Sequence, residues 1–337
     1  MLRAAGHEII DPGPTRAWDG PEDLLARADG VLAGLAPITR EMLAVARGLR
    51  VIAKTGVGFD NIDLHAANEF GIVVSNTAGS NTDCVADHTI GLMLAVLRRL
   101  VELDQRTRSG AGWSDVSIAP EQLTSRHLGV IGTGSIGKAV SRRAVAGFGM
   151  TVSAFSRAPD PAFAAELNVA YRPLEDVLRN VDIISLHVPL TESTRGLIGE
   201  AELRLMRPTA VLVNTARGGV VDETALADAL RQGRIAGAGV DVFASEPCTA
   251  SPLFDLPNTV LTPHIAGRSP QAARLGRLMA AENLVEGLAG RPIRVVNPEV
   301  LRSPQCRIRP RGPQRQRALR PDPHHDDSDD QEARPKR

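Results

Sequence analysis

The sequence predicts an α/β protein built from two parallel-sheet units with a cleft between them. Three observations carry that expectation. Short apolar runs alternate with amphipathic helical stretches along most of the chain, a rhythm that builds parallel sheets. A glycine turn, GVIGTGSIG (129–137), stands between a strand pattern and a helix pattern. Two long amphipathic stretches join the halves and would leave a cleft where the halves meet.

In order, HEII (7–10) reads as an opening strand and GVLAG (30–34) as the next. TREMLAVA (39–46) reads as a helix and LRVIAKTG (49–56) as a strand. NIDLHAANEFG (61–71) is a helix closed by glycine, and IVVSNT (72–77) a strand. One long amphipathic helix is expected over about 82–107, then an irregular loop around 110–120. The second unit starts with the strand HLGVIG and the helix SIGKAVSRRAVAGFG. Its further strands are TVSAF, DIISLHVP, AVLVNT, GAGVDVF and TVLTPH, with a helix at DETALADALRQG (222–233). A last helix runs over about 270–288, and IRVV (293–296) closes as a strand. Residues 1–81, completed by 289–302, form the first unit; 82–288 form the second. Residues 303–337 are rich in proline and charge, with almost nothing to bury, so a disordered tail is expected. His324 and His325 beside aspartates there would hold a metal only weakly, and no metal site is expected.

Composition narrows the function. The chain has 337 residues, 43% hydrophobic, with 39 Lys plus Arg against 39 Asp plus Glu. That balance offers no basic surplus for nucleic acid or an anionic membrane surface. Three scattered cysteines, Cys84, Cys248 and Cys306, argue against a disulfide scaffold or a zinc site. The first residues lack a signal peptide's apolar run, and no segment is long and apolar enough to span a bilayer. A cytoplasmic protein is expected.

In the glycine turn, Gly132 permits the tight bend, Gly134 admits a pyrophosphate, and Gly137 lets helix and strand approach. The helix start offers unpaired N–H groups to phosphate. About 20 residues past such a turn a carboxylate usually grips the adenosine ribose. Here the second strand ends on Ser156 and Arg157. Ser156 removes the repulsion of a 2′-phosphate, and Arg157 offers it a charged fork. NADP(H) is therefore expected ahead of NAD(H), with NAD(H) possible. Three polar residues follow predicted strand ends: Arg217 in NTARGGVVD, Glu246 in DVFASEP and His264 in TPHIAG. Together they suit a 2-hydroxy or 2-oxo acid. The arginine would hold the carboxylate, the histidine move the hydroxyl proton, and the glutamate orient the ring.

These segments closely resemble the D-isomer-specific 2-hydroxyacid dehydrogenase family over about residues 1–300. The resemblance implies a Rossmann-like cofactor domain and a flavodoxin-like substrate domain. It implies His264 as acid/base, Glu246 as its partner and Arg217 as the substrate-binding arginine. It places Asp241 against the nicotinamide amide and His187, Val188 and Pro189 along the cofactor. Ser135 and Ile136 in the glycine turn, with Thr215, Ala216 and Gly267, complete the implied cofactor positions. KTGVGFDNID (54–63) is similar to the family's substrate loop. There the amides of Val57 and Gly58 would meet a carboxylate, and Lys54 would add an anion contact. Asn81 would touch substrate or steady the hinge. Asp87 and His88 are read as structural, although the family usually has glutamate at position 87. Family members are usually homodimers, and the helix from Thr82 with the loop near Trp113 looks like their dimer arm.

The chain departs from the pattern in lacking the strand and most of the helix that precede LRAAG in relatives. A late start of the sequence is expected over a damaged first domain. Ala78 stands where proline is common, and Thr209 where glycine is common. The leading expectation is an NAD(P)-dependent dehydrogenase, with a glyoxylate or hydroxypyruvate reductase fitting the NADPH hint. The alternatives are a nucleotide-sensing protein similar to the family's corepressors, or an inactive truncated member.

Overall fold

The computed structural model describes residues 1–11, 22–111 and 119–308. The first unit runs α1 (Glu22–Arg27), β1 (Gly30–Ala33), α2 (Arg40–Val45), β2 (Val51–Lys54), α3 (Leu64–Glu69) and β3 (Val73–Ser75). Its sheet is parallel in the order β1-β2-β3. The helix starts are legible in the side chains: Thr39 and Asp63 cap α2 and α3 by accepting the Met42 and Ala66 N–H groups. β2 is buried along its whole length, because helices cover both faces of the sheet.

The second unit is entered through α4 (Thr82–Leu97) and α5 (Leu100–Arg108). It continues with β4 (His127–Ile131), α6 (Ser135–Phe148), β5 (Thr151–Phe155), α7 (Pro161–Leu167), β6 (Ala170–Tyr171) and α8 (Leu174–Asn180). β7 (Ile183–Leu186), α9 (Glu200–Leu205), β8 (Val211–Asn214), α10 (Glu223–Arg231), β9 (Gly237–Val240), β10 (Thr259–Leu261) and α11 (Pro270–Leu288) complete it. The seven strands are parallel in the order β10-β9-β8-β7-β4-β5-β6. The order reverses between β4 and β7, and such a reversal opens a ligand crevice at the carboxyl ends of those strands. Two parallel-sheet units, one Rossmann-like, are the architecture expected.

Several elements differ from expectation. HEII forms no strand. Ile9 and Ile10 are 40% and 44% exposed, and among the described residues no neighbour pairs with them. A strand without a ladder partner has nothing to hold it extended. The long helix over 82–107 is two helices, because Arg99 adopts the left-handed region at φ 50° and stops the ladder. IRVV makes only one antiparallel bridge, Val295 to Ser75, since Arg294 sits at φ 51° within it. Helix α11, placed in the second unit by the 82–288 boundary, packs on the first sheet instead. Gly287 makes this close approach possible: a Cβ there would stand 3.0 Å from the Val51 methyls. α4 packs on the second sheet.

The expected disordered tail is corrected over residues 303–308. Ile308 is 8% exposed and joins the cluster of Val51, Val73 and Leu284. The Arg307 N–H donates to Gly71 O at 2.9 Å, and its guanidinium donates to Ala46 O and Leu49 O at 2.7 and 2.8 Å. One isoleucine and one arginine make this strap, too few for composition to register. The rest of the tail, with His324 and His325, lies outside the described residues, as does Trp113 with residues 112–118.

Candidate active site

The three glycines of the turn have separable physical roles. Gly132 has φ 98°, and a Cβ there would stand 2.7 Å from His187 O. A Cβ on Gly137 would stand 2.1 Å from Gly132 O, so only glycine lets α6 sit this close to β4. Gly134 meets no atom within 4 Å and opens onto free space. It is the N-cap of α6, and no side chain caps that helix start. The amides that follow, from Ser135 through Gly137, stand at a helix N-terminus of the kind that binds phosphate.

At the tip of β5, the Ser156 hydroxyl accepts the Ala158 N–H at 3.3 Å and closes a small turn. The basic side chains around it differ in commitment. Lys138 is paired with Asp160, and Arg142 with Glu166 at 2.6 Å. Arg157 is exposed and pairs with no acidic group among the described residues. Tyr171, which sequence reasoning passed over, donates to Thr133 in the glycine turn and accepts the Asp160 N–H. It thereby ties the glycine turn to the segment that follows β5. His187 donates to or accepts from Ser185 at 2.8 Å, and burial pushes its imidazole down to about 3. It is a neutral wall beside the turn, followed by Val188 packed into the core and by Pro189, whose carbonyl accepts Thr194 Oγ1 at 2.6 Å.

Arg217 follows β8 on a loop braced by one side chain. Asn214 accepts the Ala216 N–H and donates to Arg217 O, both at 3.0 Å. Thr215, buried, bonds Thr89 of α4 at 2.9 Å. Glu246 accepts the Phe243 N–H at 3.0 Å with one oxygen and meets His264 Nδ1 at 2.5 Å with the other. Desolvation pushes this carboxyl up, but the His264 and Phe243 hydrogen bonds prevail and hold it below the ordinary range. His264 Nε2 has no protein partner among the described residues. The ring is presented by a left-handed backbone, φ 52°, secured by the His264 N–H donating to Asp241 O at 2.7 Å.

Asp241 is also a support of the His264 loop. Its side chain is fully buried and committed to protein. Oδ1 accepts the Thr262 hydroxyl at 2.5 Å and the Ile265 N–H at 3.0 Å, and Oδ2 accepts the Ala266 N–H at 2.9 Å. It braces the loop that carries His264. His88 joins from α4, bonding Thr262 at 3.0 Å, and Asp87 pairs with Arg143.

The first unit brings its loop against these residues. A Cβ on Gly58 would lie 1.5 Å from Arg217 Nη2, so the glycine is what admits the guanidinium. Asn76 donates to Val57 O at 2.7 Å and steadies the loop. Lys54 is 4% exposed and bonds Gly34 O. Burial, opposed by Asp60 and reinforced by Arg217, brings its ammonium down to about 8. Asp60 reaches Arg217 Nε at 3.1 Å. Neither Asp60 nor Asn76 was singled out in the sequence, although Asp60 lies two positions past Gly58 in the same loop.

Asn81 begins α4 and lies across Gly267, where a Cβ would stand 2.7 Å from its amide nitrogen. Asn81 Oδ1 and Thr82 Oγ1 are buried without hydrogen-bond partners. Unpaired buried polar atoms are costly, and these two stand at the hinge of the cleft. With the open Gly134 and the uncapped α6, they fit a dinucleotide laid along the crevice. Among the described residues no cluster of acidic, histidine or cysteine side chains could hold a metal, and no helix is long and apolar enough to cross a membrane.

This crevice and the Arg–Glu–His set define an NAD(P)-dependent oxidoreductase of 2-hydroxy acids. The model of the D-isomer specific 2-hydroxyacid dehydrogenase NAD-binding domain matches residues 90–266, and the chain belongs to that family. It is 44% identical over 273 residues to a glyoxylate reductase of Thermococcus litoralis, covering 79% of this chain and 82% of that protein. It is 41% identical over 286 residues to a D-3-phosphoglycerate dehydrogenase of Mycobacterium leprae, covering 83% of this chain and 54% of that protein. The D-lactate dehydrogenase of Aquifex aeolicus, solved with NAD and lactic acid, superposes with a TM-score of 0.77 at 30% identity. That match covers 83% of this chain and 90% of that one.

Proposed function

We propose that this chain reduces a small, singly charged 2-oxo acid of the glyoxylate or hydroxypyruvate kind, with NADPH preferred to NADH. The observation that carries the substrate class is the charge count of the cleft. Lys54 and Arg217 supply two cations, and Asp60 and Glu246 two carboxylates, in one coupled cluster. With His264 neutral the set balances. With His264 protonated it carries one excess positive charge, which one substrate carboxylate neutralises. A phosphorylated acid would need a further cation.

The substrate carboxylate rests on the guanidinium of Arg217 and the amides of Val57 and Gly58, with Lys54 behind them. His264 Nε2 gives its proton to the 2-oxo oxygen, and Glu246 at Nδ1 keeps the ring oriented and favours its charged form. The nicotinamide, when bound, supplies the hydride to C2. Gly134, Ser135, Ile136 and Gly137, bounded by Gly132, would hold the pyrophosphate of the dinucleotide. His187, Val188 and Pro189 line one side, and Thr215, Ala216 and Gly267 the other. Asn81 serves the hinge between the units. The chain acts as a homodimer through α5, whose Leu100 and Val101 are 51% and 46% exposed. The substrate domain is residues 1–81 with 289–302, and α11 together with the strap at 303–308 belongs with it.

The test follows loss of reduced-cofactor absorbance for glyoxylate, hydroxypyruvate and phosphohydroxypyruvate, each with NADPH and NADH. The unphosphorylated acids with NADPH are expected to give the highest kcat/KM, and a preference for the phosphorylated acid contradicts the charge count. Combining Ser156→Asp with Arg157→Ala is expected to move the NADPH/NADH ratio of kcat/KM by about ten- to a hundredfold toward NADH, the scale of one charge-assisted contact. An unchanged ratio removes both residues from cofactor choice.

Lys54 gives the cleft a pH dependence. Below about 8 its ammonium is charged and attracts the acid; above that value the charge is lost. KM for the oxo acid is expected to rise as pH passes upward through about 8, and Lys54→Met to abolish that rise by keeping KM high throughout. The folded protein also binds fewer protons here than the unfolded chain between about 8 and the ordinary 10.5. This group's contribution to stability therefore increases with pH across that window. A KM profile in Lys54→Met that still climbs at the same pH assigns the effect elsewhere.

A further inference from the structure

We infer that Asp60 is a positioning residue for the reaction: it reaches across from the substrate loop and fixes which edge of the Arg217 guanidinium faces the substrate. The inference rests on the reading of Arg217 as the carboxylate-binding group. Asp60 and Arg217 are 157 residues apart in sequence and belong to different units, yet Asp60 Oδ1 accepts from Nε at 3.1 Å. Nη1 donates to Ala216 O at 2.7 Å. Nη2 lies over Gly58, where even a methyl group would collide with it. Of the five guanidinium N–H groups, Asp60 and Ala216 therefore take one each, on adjacent nitrogens of a rigid plane. N–H groups remain on both terminal nitrogens, so an incoming carboxylate is directed to the Nη1–Nη2 end.

Geometry argues for this role over a surface ion pair of no consequence. An exposed pair of long side chains contributes little. Here the arginine makes two hydrogen bonds and is only 27% exposed, while the aspartate, 56% exposed, comes from a loop steadied by Asn76 at Val57. Asp60 stays ionised because Arg217, its own backbone contact and Lys54 outweigh the cost of its partial burial. It also couples the two units, so that substrate meets a guanidinium already oriented by the unit on the far side of the cleft. Small misplacements of such a group are expensive in rate and affinity.

The experiment compares wild type with Asp60→Asn, Asp60→Ala and Asp60→Glu. Steady-state kinetics use NADPH and glyoxylate, and calorimetry of the cofactor complex uses oxalate as an unreactive carboxylate probe. Asp60→Ala is expected to raise KM for glyoxylate and Kd for oxalate together, by about ten- to a hundredfold, with a smaller fall in kcat and the KM for NADPH nearly unchanged. Asp60→Asn, which keeps the shape and an acceptor oxygen, falls between, and Asp60→Glu restores part of the loss. Unchanged or lowered values for both acids in Asp60→Ala overturn the inference, the lowered case meaning that the carboxylate competes with substrate. Equal damage to NADPH and acid binding, with a lowered Tm, also overturns it in favour of a purely structural contact. If wild type neither turns over nor binds these acids, the proposed function falls first and the inference with it.

Discussion

Replacing His264 with alanine is expected to lower kcat by about a hundred- to ten-thousandfold, the usual worth of a positioned acid or base. The Kd of the reduced cofactor should stay near the wild-type value. The reasoning starts from the backbone. The left-handed turn at His264 is secured by Asp241 O, and the loop around it by the buried Asp241 carboxylate. The alanine variant keeps those bonds, so the loop survives while the proton-carrying ring is lost. Glu246→Gln separates the two functions of the pair. An amide oxygen still accepts from Nδ1–H, so the ring keeps its orientation, but the negative charge that favours imidazolium is gone. A smaller loss than in His264→Ala is expected. Stopped-flow measurement of the first turnover checks both, and an undiminished rate in His264→Ala removes the imidazole from the chemistry.

Arg217→Ala is expected to lower kcat/KM for the oxo acid by about a hundred- to a thousandfold, as loss of one charge-stabilising donor set does elsewhere. Both parameters should suffer, because the guanidinium binds the carboxylate and holds the carbonyl carbon in line. Arg217→Lys should recover little. An ammonium cannot donate to Asp60, to Ala216 O and to a carboxylate in the same fixed plane. The loop itself is braced by Asn214 rather than by the arginine side chain, so Tm should move little. A variant that loses Tm while keeping kcat/KM would make Arg217 a structural tether.

Much of this fold is written locally. The turn at 132–137 could be read because each glycine answers a steric demand: a positive φ, an open approach and a close helix contact. Parallel strands buried on both faces show as apolar runs, so β2, β4, β7 and β8 stand out. The failures have a different origin. HEII has strand composition but no neighbour, and strand formation depends on a partner that composition does not reveal. Arg99 and Arg294 take left-handed conformations that no residue-type signal announces. The strap at 303–308 rests on two side chains finding carbonyls and a groove far away in sequence.

The candidate site divides the same way. Arg217, Glu246 and His264 were legible because they follow strand ends, and the hydrogen bond between Glu246 and His264 lies within one unit. Asp60 was not, because its meaning appears only when the two units meet. The three donors that Asp241 accepts from the 262–266 segment were not legible either, because that loop folds back on the strand end only in three dimensions.

The central claim is that one acid is gripped at Arg217 while its 2-oxo oxygen meets His264 Nε2. A crystal structure with NADPH and oxamate, an unreactive mimic of a 2-oxo acid, measures this most directly. The account predicts the oxamate carboxylate within about 3 Å of the terminal nitrogens of Arg217, and its amide carbonyl oxygen at the same range from His264 Nε2. Oxamate bound elsewhere, or seated in the cleft with both side chains beyond hydrogen-bond reach, contradicts it.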